Sequence, residues 1–492
     1  MKTFVSFLFV LLALCGDGLL VQAQTVRARV ISNRSGKGLR NIPVSNGDTV
    51  VLSGRKGYVE LPVGVEKVLF AIPPSDLQPA SIQSAMLPQQ GFIQTSNDAQ
   101  DFNLPLEKTK VESDFRFAAI GDVQVDDAQQ LQYAAQTLFS EIQDRPLIDF
   151  ALFMGDLVND DPLLLDDFSQ LMQQLPYPAW AVFGNHDRTI AENQSRTSDY
   201  KQHFLTPTYA FNRSKAHFIV INNVYPKGKF GYEGLYDAQQ LRFVEQSLRF
   251  VDADRLIVLA QHIPLLHTRN KEAMIELLEG RNVLVLSGHT HTLLRHLHPV
   301  KKGRIQELVV GAVSGSWWTG EKDVFGIPAA LMSCGSPRNY MEISVQDTAY
   351  TITYKGVGLD PGRQMDLWIA GADSTDRHVP DLDSIAPGTV LANVYAGFSE
   401  TVVWMQVDQQ EPIRMQHVPR VAPLVARIAA FNKDDVYPTK HSRRLPLRSR
   451  PSPHIWQAKL PQDLSSGWHL IRIKANDPYG FSADQTTRVF VP

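Results

Sequence analysis

Five short polar clusters, each set at the end of an apolar run, constrain this chain more than any other feature. They are Gly121-Asp122-Val123-Gln124, Gly155-Asp156, Gly184-Asn185-His186-Asp187, Gln261-His262 and Gly288-His289-Thr290-His291. The runs before them (Phe117–Ile120, Phe150–Met154, Trp180–Phe183, Leu256–Ala260 and Val283–Leu286) are too short for core helices and rich in branched or aromatic residues. Each reads as a buried parallel strand. In open α/β sheets, ligands bind just beyond the carboxyl ends of strands. Taken singly, none of the clusters would carry weight. A lone Asp at a strand end caps a helix more often than it binds a ligand, and a lone Gln261-His262 pair is more often an ordinary interior or surface feature. The His-x-His spacing recurs at His296 and His298 without a preceding Gly, and those two read as surface residues. The shared order, strand context and joint chemistry of all five point to one active site.

The donor types narrow the chemistry. Carboxylates, an Asn carbonyl and neutral imidazoles suit Mn, Fe or Zn, and no thiolate competes. Asp122 and Gln124 lie at i and i+2, as do His289 and His291, so each pair presents two donors on one side. Two divalent ions about 3.5–4 Å apart can clamp a phosphate, bind the attacking water and stabilise the leaving oxygen. A carboxylate is the natural bridge between two cations, and Asp156 is the candidate. The Gly before each ligand is expected to let the backbone turn sharply off its strand.

The 492 residues are too many for one core and predict about three domains. Lys2 and the apolar stretch Phe4 to Cys15, followed by Val21-Gln22-Ala23, read as a signal peptide over residues 1–23. The mature protein is therefore expected to be periplasmic or secreted. Lipidation at Cys15 ranks second, because Leu14 is bulky where the lipoprotein pattern prefers a small residue. With the leader removed Cys334 is the only cysteine, which excludes an internal disulfide. No other run of about 18 apolar residues exists, so no transmembrane span is expected in the mature chain. Residues 24–111 show short alternating runs and turn signals, and predict an N-terminal β-sandwich. Residues 112–357 alternate strands with helical periodicity (Leu131, Ala135, Leu138, Ile142; Leu241, Val244, Leu248, Val251) and predict a layered α/β domain. Residues 358–492 return to strands and predict a C-terminal β-rich module, with Pro- and Arg-rich loops such as Pro438 to Pro453. A formal net charge of −3 gives no electrostatic case for binding nucleic acid.

In this order, Asp-x-(His or Gln), Gly-Asp, Gly-Asn-His-Asp, His and Gly-His-x-His, the motifs from Asp122 to His291 resemble the calcineurin-like metallophosphoesterase superfamily. The flanking β modules resemble those that accompany this phosphoesterase in exported bacterial proteins of the Bacteroides type. So do Gly315-Ser316-Trp317-Trp318-Thr319-Gly320 and Gly335-Ser336-Pro337-Arg338-Asn339-Tyr340. The resemblance implies an α/β sandwich with two divalent ions. Asp122, Gln124, Asp156 and His291 would hold one, and Asp156, Asn185, His262 and His289 the other. His186 would stand outside both, protonating the leaving group or stabilising the phosphoryl oxygens. Gln124 replaces the His of most members; as a neutral, harder donor it should weaken the first site or favour Mn. Many relatives also carry an Asp three residues after the bridging one, where this chain has Asn159 with Asp160 next. Either Asp160 orients His186, or His186 has a less basic neighbour.

The expected surroundings are Asp160, Asp187, Arg188, Asn222, Trp317, Trp318, Asn339 and Tyr340. Arg188 could meet a phosphate oxygen or form a surface ion pair. Asn222 and Asn223 end another strand on the same side. Trp317 and Trp318 could form a substrate wall or a domain contact. These readings converge on an exported metal-dependent phosphoesterase that cleaves phosphate mono- or diesters; a glycan- or lipid-linked ester is one candidate substrate, and the sequence does not identify the physiological one. The competing reading is a glycan- or surface-binding scaffold around an idle metal-binding domain. Intact clustered ligands speak against it. The sequence leaves metal identity and oligomeric state open.

Overall fold

The computed structural model describes residues 25–80, 87–95, 101–145, 147–191, 193–228, 231–433, 447 and 449–491. The expected leader, with Cys15 and Ala23, and most of the Pro- and Arg-rich stretch from Pro438 lie outside them. Among the described residues, no helix is long and apolar enough to cross a membrane.

Alternation builds the N-terminal region. In Thr25–Ser32 and Tyr58–Pro62, every second side chain is buried. Two four-stranded sheets result, one containing Thr25–Ser32 and the other Val68–Ala71. Val26, Ala28, Val30, Val44, Leu61 and Leu69 fill the space between them. The outer side of the second sheet carries Val50, Val68 and Phe70 into the central core.

The central region is the layered α/β domain that strand patterning predicts, built on a stack of two sheets. Five strands form the first, in the order Ala179–Ala181, Phe150–Phe153, Asp114–Ile120, Asn339–Gln346 and Ala349–Gly356. Six form the second: Tyr209–Arg213, Ala216–Val220, Leu256–Ala260, Asn282–Ser287, Arg304–Val310 and Leu293–His298. The first three strands of the first sheet run parallel, as do the inner four of the second. Along Asp114–Ile120, Phe117 and Ala119 join the core between the sheets, whereas Ala118 and Ile120 face Leu138, Phe139, Leu165 and Phe168 on the helices outside. Burial on both faces explains the near-continuous apolar runs. The helical stretch Ala128–Gln143 contains one π turn, Ala135–Phe139. Helix Ala238–Leu248 starts with a capping box made by Asp237 and Gln240 and ends before Val251, the last residue of its periodic set.

Two more four-stranded sheets form the C-terminal region, beginning at Met365–Ile369. Within this β-rich region one helix, Pro423–Lys433, which the strand pattern does not announce, packs Val425 and Ala426 against Trp368 and Leu382. A buried ion pair ties this region to the central one: Arg295, on the edge strand after the last ligand loop, meets Asp477 at 2.7 and 3.1 Å.

Candidate metal centre

Asp122 follows strand Asp114–Ile120, Asp156 follows Phe150–Phe153, and Asn185 and His186 follow Ala179–Ala181, all on the first sheet. His262 follows Leu256–Ala260 and His289 and His291 follow Asn282–Ser287, on the second. The carboxyl ends of both sheets therefore converge on one cluster. Asp156, His262 and His289 bring ligand atoms within 4.8 Å of one another. His262 Nε2 lies 3.0 Å from Asn185 Oδ1 and 3.1 Å from Asp156 Oδ2. His291 Nε2 lies 3.7 Å from Asp122 Oδ1.

Backbone groups aim these side chains. Met154 O accepts from His262 Nδ1 at 2.8 Å and Gly315 O accepts from His291 Nδ1 at 2.5 Å, so both rings turn Nε2 toward the cluster. Asp122 accepts from the His289 amide at 2.8 and 2.9 Å, tying the sheets together. Asp187 is fully buried and accepts from Leu157 N (2.7 Å), Val158 N (3.1 Å) and Gly184 N (2.8 Å). It thereby fastens the Asp156 loop to the Asn185 loop.

The sharp turns are made by the donors themselves. Asp122, Gln124, Asp156, His289 and His291 have φ of 40°, 42°, 50°, 73° and 47°, a left-handed conformation that non-Gly residues seldom adopt. Of the glycines before them only Gly155 has positive φ, at 87°. Gly184 and Gly288 serve close approach instead: a Cβ there would lie 2.0 Å from Asp156 N and 2.5 Å from Asp122 Oδ2.

The electrostatics match an array of metal donors. Burial holds His289 down to about 3 and His291 to about 4, so both imidazoles are neutral at pH 7. Burial pushes Asp122 well up. Burial also raises Asp156, but the neighbouring His262 and His186 outweigh it and hold this carboxyl low. His262 is pushed up to about 9, because the Asp156 charge exceeds the effect of burial. Burial and Asp156 push Asp187 up to about 7. Gln124 Oε1 and His289 Nδ1 are buried with no hydrogen-bond partner. Divalent cations would satisfy these lone pairs and offset the two buried aspartates, so the residues fit such ions.

His186 is oriented from behind. Its Nδ1 stands 3.1 Å from Asp160 Oδ2, close though poorly aligned, and the Asp160 amide donates to His186 O at 3.1 Å. Asp160 thus occupies the orienting position, while Asn159 accepts from Gln124 Nε2 at 3.2 Å. Burial lowers His186, but Asp160 and Asp156 outweigh it and the net shift is upward. Arg188 Nε pairs with Asp160 Oδ1 at 2.9 Å. Trp317 is 45% exposed and stacks on the His291 ring at 4.7 Å. Tyr232, on the hairpin Val224–Lys227/Gly231–Gly234, packs edge-on against His289 at 5.6 Å. Sequence reasoning missed Tyr232, because a short polar hairpin carries no periodic signal.

Other expected residues lie elsewhere. Trp318 is buried and donates its indole N–H to Val123 O at 2.9 Å, so it braces the Asp122–Gln124 turn from below. Asn222 accepts from Val224 N at 2.9 Å. Its neighbour Asn223 grips the loop after His262 through Ile263 N and O. Asn339 donates to Val310 O at 2.8 Å, and the Tyr340 hydroxyl meets Glu141 at 2.9 Å beneath the outer helix. Asn339 thus ties its strand to Arg304–Val310, and Tyr340 ties the same strand to the outer helix. His298 is not a surface residue: it is buried, with Nε2 donating to Glu307 Oε2 at 2.8 Å. Its partner Glu307 comes from the neighbouring strand Arg304–Val310 and is itself buried.

The sequence matches the family described as Calcineurin-like phosphoesterase over residues 115–293, and the one described as C terminal of Calcineurin-like phosphoesterase over residues 307–482. No curated protein matches it. Among solved structures, it is similar to the purple acid phosphatase PPD1 from yellow lupin (Lupinus luteus) seeds, with 13% identity and a TM-score of 0.36, over 64% of this chain and 67% of that one. It is also similar to PhoD, with 10% identity and a TM-score of 0.35, over 84% of this chain and 98% of that one. A metallophosphoesterase from Sphaerobacter thermophilus shows 15% identity and a TM-score of 0.23, over 49% and 87% of the two chains.

Proposed function

We propose, on the premise that this chain carries a calcineurin-like phosphoesterase domain with that family's C-terminal domain and is a phosphoester hydrolase, that it is an exported enzyme cleaving phosphate mono- or diesters at a dinuclear centre. The observation that carries the dinuclear reading is the convergence of seven donors from five strand ends, with Gln124 Oε1 and His289 Nδ1 buried and unpaired. Asp122, Gln124, Asp156 and His291 would hold one ion and Asp156, Asn185, His262 and His289 the other. Such ions supply Lewis-acid stabilisation of the phosphoryl oxygens and lower the pKa of bound water.

The chain's own residues do the rest. Asp160 fixes His186 through Nδ1, which leaves Nε2 as the nitrogen that carries a proton to the departing alcohol. Arg188, held by Asp160, adds positive charge at the phosphate side of the cluster. Trp317 and Tyr232 flank the two ligand histidines and wall the leaving group. Export is supported by Lys2, the apolar stretch to Cys15 and the small residues before Gln24; a mature N-terminus at Gln24 is the expected result. The mature chain would divide into modules at 24–111, 112–357 and 358–492.

The test is hydrolysis of aryl and alkyl phosphate esters by wild type and His186→Ala. Loss of a general acid lowers turnover by about 10²–10⁴-fold. The loss should be smaller for the aryl ester, whose leaving group needs little protonation. Equal rates for wild type and variant on both esters would remove His186 from the mechanism.

A further inference from the structure

A cavity of about 1090 Å³ lies outside the metal centre, between the π turn of the outer helix, the loop of residues 321–329 and the turn after strand Ala349–Gly356. Ile327, Pro328, Val357 and Leu359 give it an apolar wall, and Gln136 and Thr137 a polar one. Arg338 also lines it, though only 9% of that residue is exposed. Its guanidinium lies 5.0 Å from the centre of the Trp318 ring, and Nη1 is buried with no hydrogen-bond partner. Asp323 and Glu141 act on it only through space. Both carboxylates have other partners: Asp323 Oδ1 accepts from Phe325 N and Ile327 N, and Glu141 from Tyr340, Gly358 N and Lys355.

A buried guanidinium nitrogen without a direct hydrogen-bond partner is costly unless a ligand supplies one. Gly315, at φ 53°, lets the Ala330 carbonyl approach, since a Cβ there would lie 1.6 Å from Ala330 O, and it also leaves Arg338 Cγ clear at 3.0 Å. Burial lowers Arg338 only to about 10, so it stays charged at neutral pH. Single π turns also recur at functional sites. Glu141, Asp144, Glu321 and Asp323 line the same cavity, with Lys322 as its second cation, bonded to the Tyr133 hydroxyl. They select against a multiply charged ion, while the apolar wall favours a chain attached to a single negative charge.

We propose that this cavity is a second binding site, taking a carboxylate on an apolar chain, with the carboxylate on Arg338 and the chain along Ile327, Val357 and Leu359. Trp318, beside the Arg338 guanidinium, links the cavity to the metal centre, because its indole N–H bonds Val123 O in the turn that carries Asp122 and Gln124.

Calorimetric titration of the metal-loaded protein tests this. Octanoate is the primary probe. Acetyl-leucyl-leucine distinguishes a peptide carboxylate from a fatty acid, and octanol and inorganic phosphate separate tail from head. Octanoate or the peptide should bind more tightly than octanol or phosphate. A charge-assisted contact of this kind predicts binding about ten- to hundredfold weaker in Arg338→Met. Leu359→Asp, at the half-buried wall, should weaken binding without touching Arg338 and serves if Arg338→Met does not fold. Asp156→Ala should leave octanoate binding unchanged. Octanoate binding that survives both cavity substitutions, or that is lost in Asp156→Ala, would overturn the proposal, as would phosphate or octanol binding as tightly as the carboxylates.

Discussion

Replacing Asp187 should damage the centre although this residue touches no substrate. Its carboxylate satisfies the amides of Leu157, Val158 and Gly184, all buried. Asp187→Ala leaves three buried N–H groups without partners, at about 1–3 kcal/mol each. Neighbouring terms do not add fully, so about 3–6 kcal/mol of local stability should be lost. Asp187→Asn keeps one acceptor oxygen but sets an NH₂ group against one or more of the same donors, for about 1–3 kcal/mol. Hydrogen exchange followed by mass spectrometry reads this directly. Peptides covering 155–158 and 183–188 should exchange about 10²–10⁴-fold faster in Asp187→Ala, and less so in Asp187→Asn. Because those loops carry Asp156, Asn185 and His186, metal affinity should fall about 10–100-fold as well. Unchanged exchange and unchanged metal affinity in Asp187→Ala would refute the idea that this carboxylate fastens the two loops.

Three further outcomes follow from named contacts. Gln124→His should shift metal preference from Mn toward Zn or Fe, read by elemental analysis after competition; an unchanged preference would mean that Gln124 is not a ligand. Tyr232→Ala and Trp317→Ala should each raise KM for bulky esters more than for a methyl ester while retaining both ions, and an equal rise for all esters would rule out a wall. His217 is buried, faces Asn212 Oδ1 and Ser247 Oγ, and is pulled by burial down to about 3. Its folded pKa lies below its unfolded value near 6.5, so stability is complete above that pH and is lost as pH falls toward 3. Compared with His217→Gln, wild type should lose an additional ~1.4 kcal/mol per pH unit across that window in denaturant titrations, and parallel curves would contradict a neutral His217.

The site was legible because burial on both sheet faces leaves uninterrupted apolar runs that stop where chemistry starts: Phe117–Ile120 ends at Asp122, and Leu256–Ala260 ends at His262. What local pattern does not encode is which strands pair. That the first three clusters lie on one sheet and the last two on another depends on remote partners, such as Asp114–Ile120 beside Asn339–Gln346. The choice between Asp160 and a weaker neighbour for His186 turned on a single left-handed residue, Asp160 at φ 59°. Trp317 and Trp318 look alike in sequence, yet φ of 54° and 51° in succession sends one ring over His291 and the other beneath Val123. His298 misleads because its buried partner Glu307 lies on another strand, out of reach of local pattern.

The central claim is that seven side chains hold two ions through a shared Asp156. Elemental analysis of purified wild type and Asp156→Ala, before and after chelation, tests it most directly. The account predicts about two ions per chain in wild type, loss of activity on chelation with recovery on metal return, and neither bound metal nor activity in Asp156→Ala. Active wild type free of metal, or Asp156→Ala retaining two ions, would contradict it.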